Sequence, residues 1–267
     1  MITILAFIAA ILIGVSLGLI GSGGSILTVP VLVYILGIDA VSATGYSLFI
    51  VGVSALLGAY RYFRRQELDL KFVFLFGIPS IIAVYFTRAW LVPVLPDELF
   101  EIGAKVITKS TFLLLLFAVL MLVAAYSMIR KSSGKTQDKM EKVSKPWSWI
   151  IVLLEGLFVG VLTGMVGAGG GFLIIPVLVL VTGLPMKKAI GTSLAIVALK
   201  SLIGFSGDMV NLEIDWPMLM SFTGFSVLGI FVGGHFSKRV SGEKLKPAFG
   251  IFILVMGLFI LTRELFL

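Results

Sequence analysis

Two stretches of the chain repeat one another without a gap. Residues 14–58 align with residues 160–204 at a constant offset of 146, and 20 of the 45 paired positions are identical. The identities include Gly18/Gly164, Gly21/Gly167, Gly23/Gly169, Gly24/Gly170, Pro30/Pro176, Gly37/Gly183, Gly45/Gly191 and Ser47/Ser193. Each copy reads as an apolar run, a glycine cluster, a second apolar run with a proline, then a third. The chain is thereby constrained to two copies of one unit. Interrupted hydrophobic segments at matching positions of two halves point to the central site of a membrane transporter.

Composition makes the bilayer the solvent. Of the 267 residues, 59% are hydrophobic and 13% charged, against about 25% charged in a soluble domain. Met1–Ile38 carries no charge, and Lys145–Met186 carries only Lys145 and Glu155. Several runs approach or exceed the roughly 18 apolar residues of a spanning helix, and none alternates as a β-barrel strand would. The expected fold class is an all-α integral membrane protein, with two inverted repeats of about five membrane segments each and broken helices at the midplane. The net charge of +7 is read as Lys and Arg gathered in cytoplasmic loops of a cell (inner) membrane protein, not as a nucleic-acid surface. Without cysteine there is no disulfide, thiol nucleophile or thiolate metal site. The start MITILAFIAAILIG lacks a basic n-region and is read as a retained first membrane segment.

The apolar segments are Ile2–Ile20, Ser25–Leu36, Gly45–Tyr62, Lys71–Val92 and Ser110–Ile129, then Trp149–Val166, Gly170–Val181, Ile190–Ser206, Trp216–Phe236 and Ala248–Leu261. The second of each set is too short to cross a core of about 30 Å as a straight helix. The first repeat is placed at 1–130, a basic cytoplasmic linker at 131–147 and the second repeat at 148–267. Loop charges differ between equivalent places. Arg61–Lys71 carries Arg61, Arg64, Arg65 and Lys71, whereas Gly207–Pro217 carries Asp208, Glu213 and Asp215. Gly183–Ala189 has Lys187 and Lys188, whereas Gly37–Ala43 has only Asp39. The positive-inside rule puts the copies on opposite sides, an inverted repeat with five crossings per half and both termini external. A parallel four-plus-four arrangement would leave the charge differences unexplained.

The clusters GSGGS (Gly21–Ser25) and GAGGG (Gly167–Gly171) interrupt apolar runs. Unwound backbone exposes amides that lipid cannot satisfy, so each break is buried in protein or lines a wet cavity. A helix restarting there points free N–H groups and a positive end at the break, which suits an anion. The expected backbone contacts are Gly23, Gly24, Gly169 and Gly170, with Ser22 and Ser25 beside them. The alternative is close helix packing through small residues, which fits Gly14/Gly18 and Gly160/Gly164. Gly14→Ala is accordingly expected to be mild. Ser47, Thr192 and Ser193 open the third segment of each copy, either as helix caps or as hydroxyls facing a substrate. Lys200 lies deep in its segment, where an ionisable residue defaults to function, and Ser54 stands at its place in the first copy. Glu155 is open between snorkelling, a structural pair and proton coupling. Arg88, Lys105 and the single histidine, His235, are expected at the interface.

The pattern Gly-x-Gly-Gly-x-x-x-x-x-Pro, at Gly21–Pro30 and Gly167–Pro176, is followed each time by Gly-x-Ser, at Gly45–Ser47 and Gly191–Ser193. It resembles the TauE/SafE family of sulfite exporters, also called TSUP, over nearly the whole chain. The resemblance implies a secondary carrier, without a cofactor, for small sulfur-containing anions such as sulfite. Such a carrier takes a coupling ion, proton or sodium, and a homodimer is compatible with it. Gly171 replaces Ser25 and Lys200 has no basic counterpart, so the site is expected to be asymmetric. A passive anion channel could use the same converging dipoles. An enzyme is disfavoured, because no nucleophile–base pair, HExxH motif or paired acids stand out.

Orientation is directly measurable. Reporter fusions at Ser133 and Thr136 are expected to read cytoplasmic, and fusions after Val210 and Leu267 external. A cytoplasmic C-terminus together with an external N-terminus would exclude the five-plus-five inversion.

Overall fold

Every apolar segment expected from the sequence is helical in the computed structural model, which describes residues 2–20, 22–102, 105–129, 147–180, 182–209, 211–236 and 242–266. The first half comprises α1 (Ile2–Ile20), a 3-10 helix (Ser22–Leu27), α2 (Thr28–Tyr34), α3 (Ala40–Arg64) and α4 (Leu70–Phe86). α4 runs through a π-helical turn (Thr87–Leu91) into α5 (Val92–Val94). A hairpin of β1 (Glu98–Ile102) and β2 (Lys105–Thr108) precedes α6 (Lys109–Ile129). The second half holds α7 (Trp147–Val166), α8 (Gly171–Leu180), α9 (Met186–Asp208), α10 (Trp216–Phe236) and α11 (Gly242–Phe266). The basic linker, apart from Trp147, lies outside the described residues.

Among the described residues five helices are long and apolar enough to cross a membrane: Ala40–Arg64, Leu70–Val94, Lys109–Tyr126, Lys187–Asp208 and Trp216–His235. α2 and α8, with 7 and 10 residues, are the short segments anticipated above. At about 1.5 Å per residue neither can span. The outer faces carry exposed Leu5, Ile8, Leu12, Ile78, Ile82, Val119 and Val123, an apolar coat suited to lipid.

Local chemistry sets the helix starts. The Asp39 carboxylate accepts from the Val41 and Ser42 amides, and Asp69 does the same for Lys71 and Phe72. Left-handed Gly37 (φ +69°) and Gly183 (φ +70°) turn the chain after α2 and α8. The same bond closes both turns: Ile38 N–H to Leu32 O, and Leu184 N–H to Leu178 O, each 3.1 Å. The hairpin is an addition to the sequence expectation; β-branched Val106, Ile107 and Thr108 favour the strand in β2.

Packing exchanges equivalent helices between the halves. α1 lies on α10 and α7 on α4, while α3 packs on α9 and α6 on α11. α3 and α9 run antiparallel, with Gly45 beside Asp208, Gly52 beside Leu202 and Gly58 beside Leu194. The exchanged pairs are backbone-tight. A Cβ at Gly14 would stand 1.9 Å from Ser226 O, and one at Gly160 2.6 Å from Ser80 O.

That distance corrects the expectation for Gly14. A methyl there meets a backbone oxygen, which cannot rotate away. Gly14→Ala is expected to destabilise by about 1–3 kcal/mol, the usual cost of overpacking. Gly224, whose Cβ would meet nothing within 4 Å, is the control and should be neutral or stabilised as alanine. Thermal unfolding of the two purified variants measures the difference.

Candidate functional site

Between α7 and α8 the chain leaves helical geometry over residues 167–170. Gly167, Gly169 and Gly170 hold φ of +71°, +64° and +69°, where a side chain costs about 1–2 kcal/mol. Sterics add a second reason for glycine. A Cβ would stand 2.2 Å from Thr44 O at Gly167, 2.7 Å from Val51 Cγ1 at Gly169 and 2.1 Å from Thr163 Cγ2 at Gly170. The whole break is buried. The Gly167 amide closes α7 on Thr163 O at 2.9 Å, and the Leu173 and Ile174 amides open α8 on Gly170 O. The first amides of α8 have no acceptor within the helix, and the positive end of its dipole faces the break.

Lys200 is fully buried, and its ammonium donates to Thr163 Oγ1 at 2.8 Å. Thr163 donates in turn to Val159 O at 2.7 Å, which orients its oxygen as the acceptor. The Lys200 nitrogen lies 3.0 Å from where a Gly170 Cβ would stand. An ammonium has three donors, and this bond uses one. Next along α9, Ser201 is buried, and its Oγ lies 3.4 Å from the Gly169 Cβ position with no hydrogen-bond partner among the described residues. Across the break, Thr44 abuts Gly167 and Val51 abuts Gly169. Ser47 lies between them on that face of α3, buried, with its Oγ lacking a hydrogen-bond partner among the described residues. An ammonium, a serine hydroxyl and a helix N-terminus thus adjoin the break, with Ser47 on the helix face that packs against it.

The other sequence candidates distribute as follows. Gly23, Gly24 and Ser25 belong to the 3-10 helix, which packs against α8 and touches α3 and α9. Ile26 shares one core cluster with Ala168, so the two glycine clusters are neighbours, and Ser25 is fully buried. Gly21 and the Ser22 side chain lie outside the described residues. Thr192 and Ser193 sit eight and seven residues before Lys200 (200 − 192 and 200 − 193), about 11–12 Å along the helix. The Thr192 Oγ1 accepts the Asp69 amide at 3.0 Å, and the Ser193 Oγ donates to Ile190 O at 3.2 Å. In the first copy the Tyr46 hydroxyl accepts the Asp215 amide at 2.8 Å, the equivalent tie 146 residues away. Glu155 is half-buried, with Oε2 lacking a hydrogen-bond partner among the described residues. His235 is exposed and lines an open cavity of about 390 Å³ with Arg61, Arg64 and Arg65.

Arg88 overturns its expectation. It is fully buried, not interfacial: its Nε donates to Asp208 Oδ2 at 2.7 Å and its Nη1 to Thr44 Oγ1 at 3.0 Å. Asp208 accordingly leaves the acidic loop to which the sequence assigned it and ends α9 as a buried residue. Both residues stand at segment ends in sequence, and only the packing of α4 on α9 draws them inside. Thr163 and Ser201 were missed because single hydroxyls in apolar helices carry no sequence signal.

A polytopic helical bundle with a buried helix break is the build of a membrane transport protein. The comparisons agree. The model of the family described as "Sulfite exporter TauE/SafE" matches residues 6–260, and the chain belongs to that family. A probable membrane transporter protein of Methanocaldococcus jannaschii is 28% identical over 275 residues, covering 96% of this chain and 94% of its own. One from Xylella fastidiosa is 26% identical over 257 residues (95% and 92%), and one from Bacillus subtilis 23% over 282 residues (98% and 100%). No solved structure matches the chain. The protein is a multi-pass membrane transporter.

The glycines of the break are testable apart from any substrate model. Gly169→Val and Gly170→Ala are expected to abolish transport in proteoliposomes at normal insertion levels. Gly77→Ala, whose Cβ meets nothing closer than 3.8 Å, should transport normally. Wild-type flux in Gly169→Val would show that the break serves packing alone.

Proposed function

We propose that the protein is a secondary carrier that exports a small sulfur-containing oxyanion, sulfite or a close relative, and binds it at the 167–170 break. One observation carries this: the fully buried Lys200 ammonium faces the N-terminal end of α8 beside Gly170. Charge at this depth is costly and is retained where it works. An oxyanion there meets the ammonium, the first amides of α8 and the hydroxyls of Ser47 and Ser201. Ser25, Gly23 and Gly24 approach from the adjoining 3-10 helix. The family's description as a sulfite exporter supports sulfite as the anion.

Alternating access with inverted repeats is supported by helix directions. α3 runs against its counterpart α9, and α1 runs alongside α10, with Gly14 at Ser226 and Gly18 at Gly234. The tight seams α1/α10 and α4/α7 make two rigid pairs that can rock about the central α3/α9 contact. With this arrangement both termini are external and the 131–147 linker is cytoplasmic; a proton or sodium gradient drives the cycle.

Calorimetric titration of the purified protein with sulfite tests the assignment. Lys200→Met should weaken binding by about 1.5–3 kcal/mol, roughly ten- to a hundredfold. Lys200→Arg should keep part of the affinity, and Lys71→Met, at the exposed start of α4, all of it. Equal affinity in wild type and Lys200→Met would remove Lys200 from the site. Saturable counterflow marks the carrier; a unitary current would make the protein a channel.

A further inference from the structure

Arg88 lies in the π-helical turn Thr87–Leu91 and is fully buried. Such turns are rare and gather at functional sites. Its guanidinium is used incompletely. A guanidinium is a fork of five donors suited to two-pronged contact with an oxyanion. Here Nε donates to Asp208 Oδ2 at 2.7 Å and Nη1 to Thr44 Oγ1 at 3.0 Å. Nη2 lies 2.7 Å from that same Oδ2 but off the hydrogen-bond direction, and has no acceptor among the described residues. Glycine at position 45 leaves room for the pair, since a Cβ there would stand 3.0 Å from both Nη2 and Oδ2 and 2.9 Å from Leu212 Cδ1.

The place of the pair is as telling as its geometry. Thr44, which Arg88 holds, is the residue that abuts Gly167, while Lys200 stands at Gly170. Two buried cations therefore sit at the two ends of one glycine break. Along α9, Asp208 lies eight residues past Lys200 (208 − 200), about 12 Å. The repeat scaffold does not need this pair. At the positions offset by 146, Gly234 stands for Arg88 and Tyr62 for Asp208. The equivalent seam, between α10 and α3, instead sets Arg61 of α3 against Gly234.

We propose that Arg88 is a second station for the oxyanion, and that the Asp208 carboxylate is a built-in competitor holding the station when no anion does. This deepens the oxyanion assignment above and rests on it. An oxyanion leaving Lys200 displaces Asp208 and takes the two terminal nitrogens of Arg88. The arginine is paired before and after, so no bare buried cation forms on the way. Asp208 is the last residue of α9, next to exposed Met209, and its carboxylate has water within reach when displaced.

The experiment titrates full-length purified protein with sulfite, sulfate, thiosulfate and phosphate and measures counterflow of the best-bound anion in proteoliposomes. Asp208→Asn removes the competitor and should tighten binding by about tenfold, the lower range for a contact with a charged group. Arg88→Gln/Asp208→Asn, a neutral pair that leaves no lone buried charge, should keep Lys200-dependent binding and lose counterflow. Arg88→Lys keeps the charge without the fork and should keep Lys200-dependent binding while slowing counterflow about tenfold, even if the neutral pair fails to fold. Unchanged affinity in Asp208→Asn, or normal counterflow in Arg88→Lys or in the neutral pair, would make the ion pair a structural tie and overturn the proposal. Anion binding weakened by Lys200→Met but untouched by Asp208→Asn overturns this station alone. A wild-type protein that binds none of the four anions overturns both readings.

Discussion

Backbone amides in a bilayer have no water to fall back on, and this constraint organises the molecule. A chain may leave helical geometry at membrane depth only where protein or a wet cavity takes over the freed groups. The break over residues 167–170 meets that condition by burial. α3 supplies Thr44 and Val51 against it, α9 supplies Lys200 and Ser201, and α7 supplies Thr163. The glycines are required twice over, by three left-handed backbones and by neighbours that leave no room for a methyl. Remove the break and Lys200 becomes a costly lysine in an apolar helix.

A repeated scaffold carries unrepeated chemistry. Turn closures, the Thr192 and Tyr46 ties and the exchanged α1/α10 and α7/α4 seams recur at an offset of 146. The charged groups do not. Where one copy has Lys200 the other has Ser54, which hydrogen-bonds the Ser226 hydroxyl at 3.0 Å. Where one has Arg88 and Asp208, the other has Gly234 and Tyr62. Symmetric packing is set by small residues at the seams, which tolerate little change because backbones touch there. The polar positions are free to diverge, so a repeated frame holds different polar groups in its two copies.

What the sequence determined by itself was everything carried by composition and spacing. Apolar runs gave the helices, because only a continuous hydrogen-bonded backbone is stable in lipid. The doubled glycine clusters and the deep Lys200 marked the broken segment. Tertiary structure alone decided the rest. The same glycine spacing gives a left-handed break in one copy and a 3-10 turn in the other, since neighbours from other helices choose between them. Gly14 reads as a packing glycine from its spacing, and only the tertiary structure sets Ser226 O so close that a methyl has no room. Arg88 read as interfacial and Asp208 as an acidic loop residue, because each stands at a segment end. They are 120 residues apart in the chain, and no local pattern records that α4 and α9 bring them within 2.7 Å. Ser47 and Ser201 are two hydroxyls among many, and only their burial on the helix faces packed against the break, with no hydrogen-bond partner among the described residues, sets them apart, a property that exists once the chain has packed.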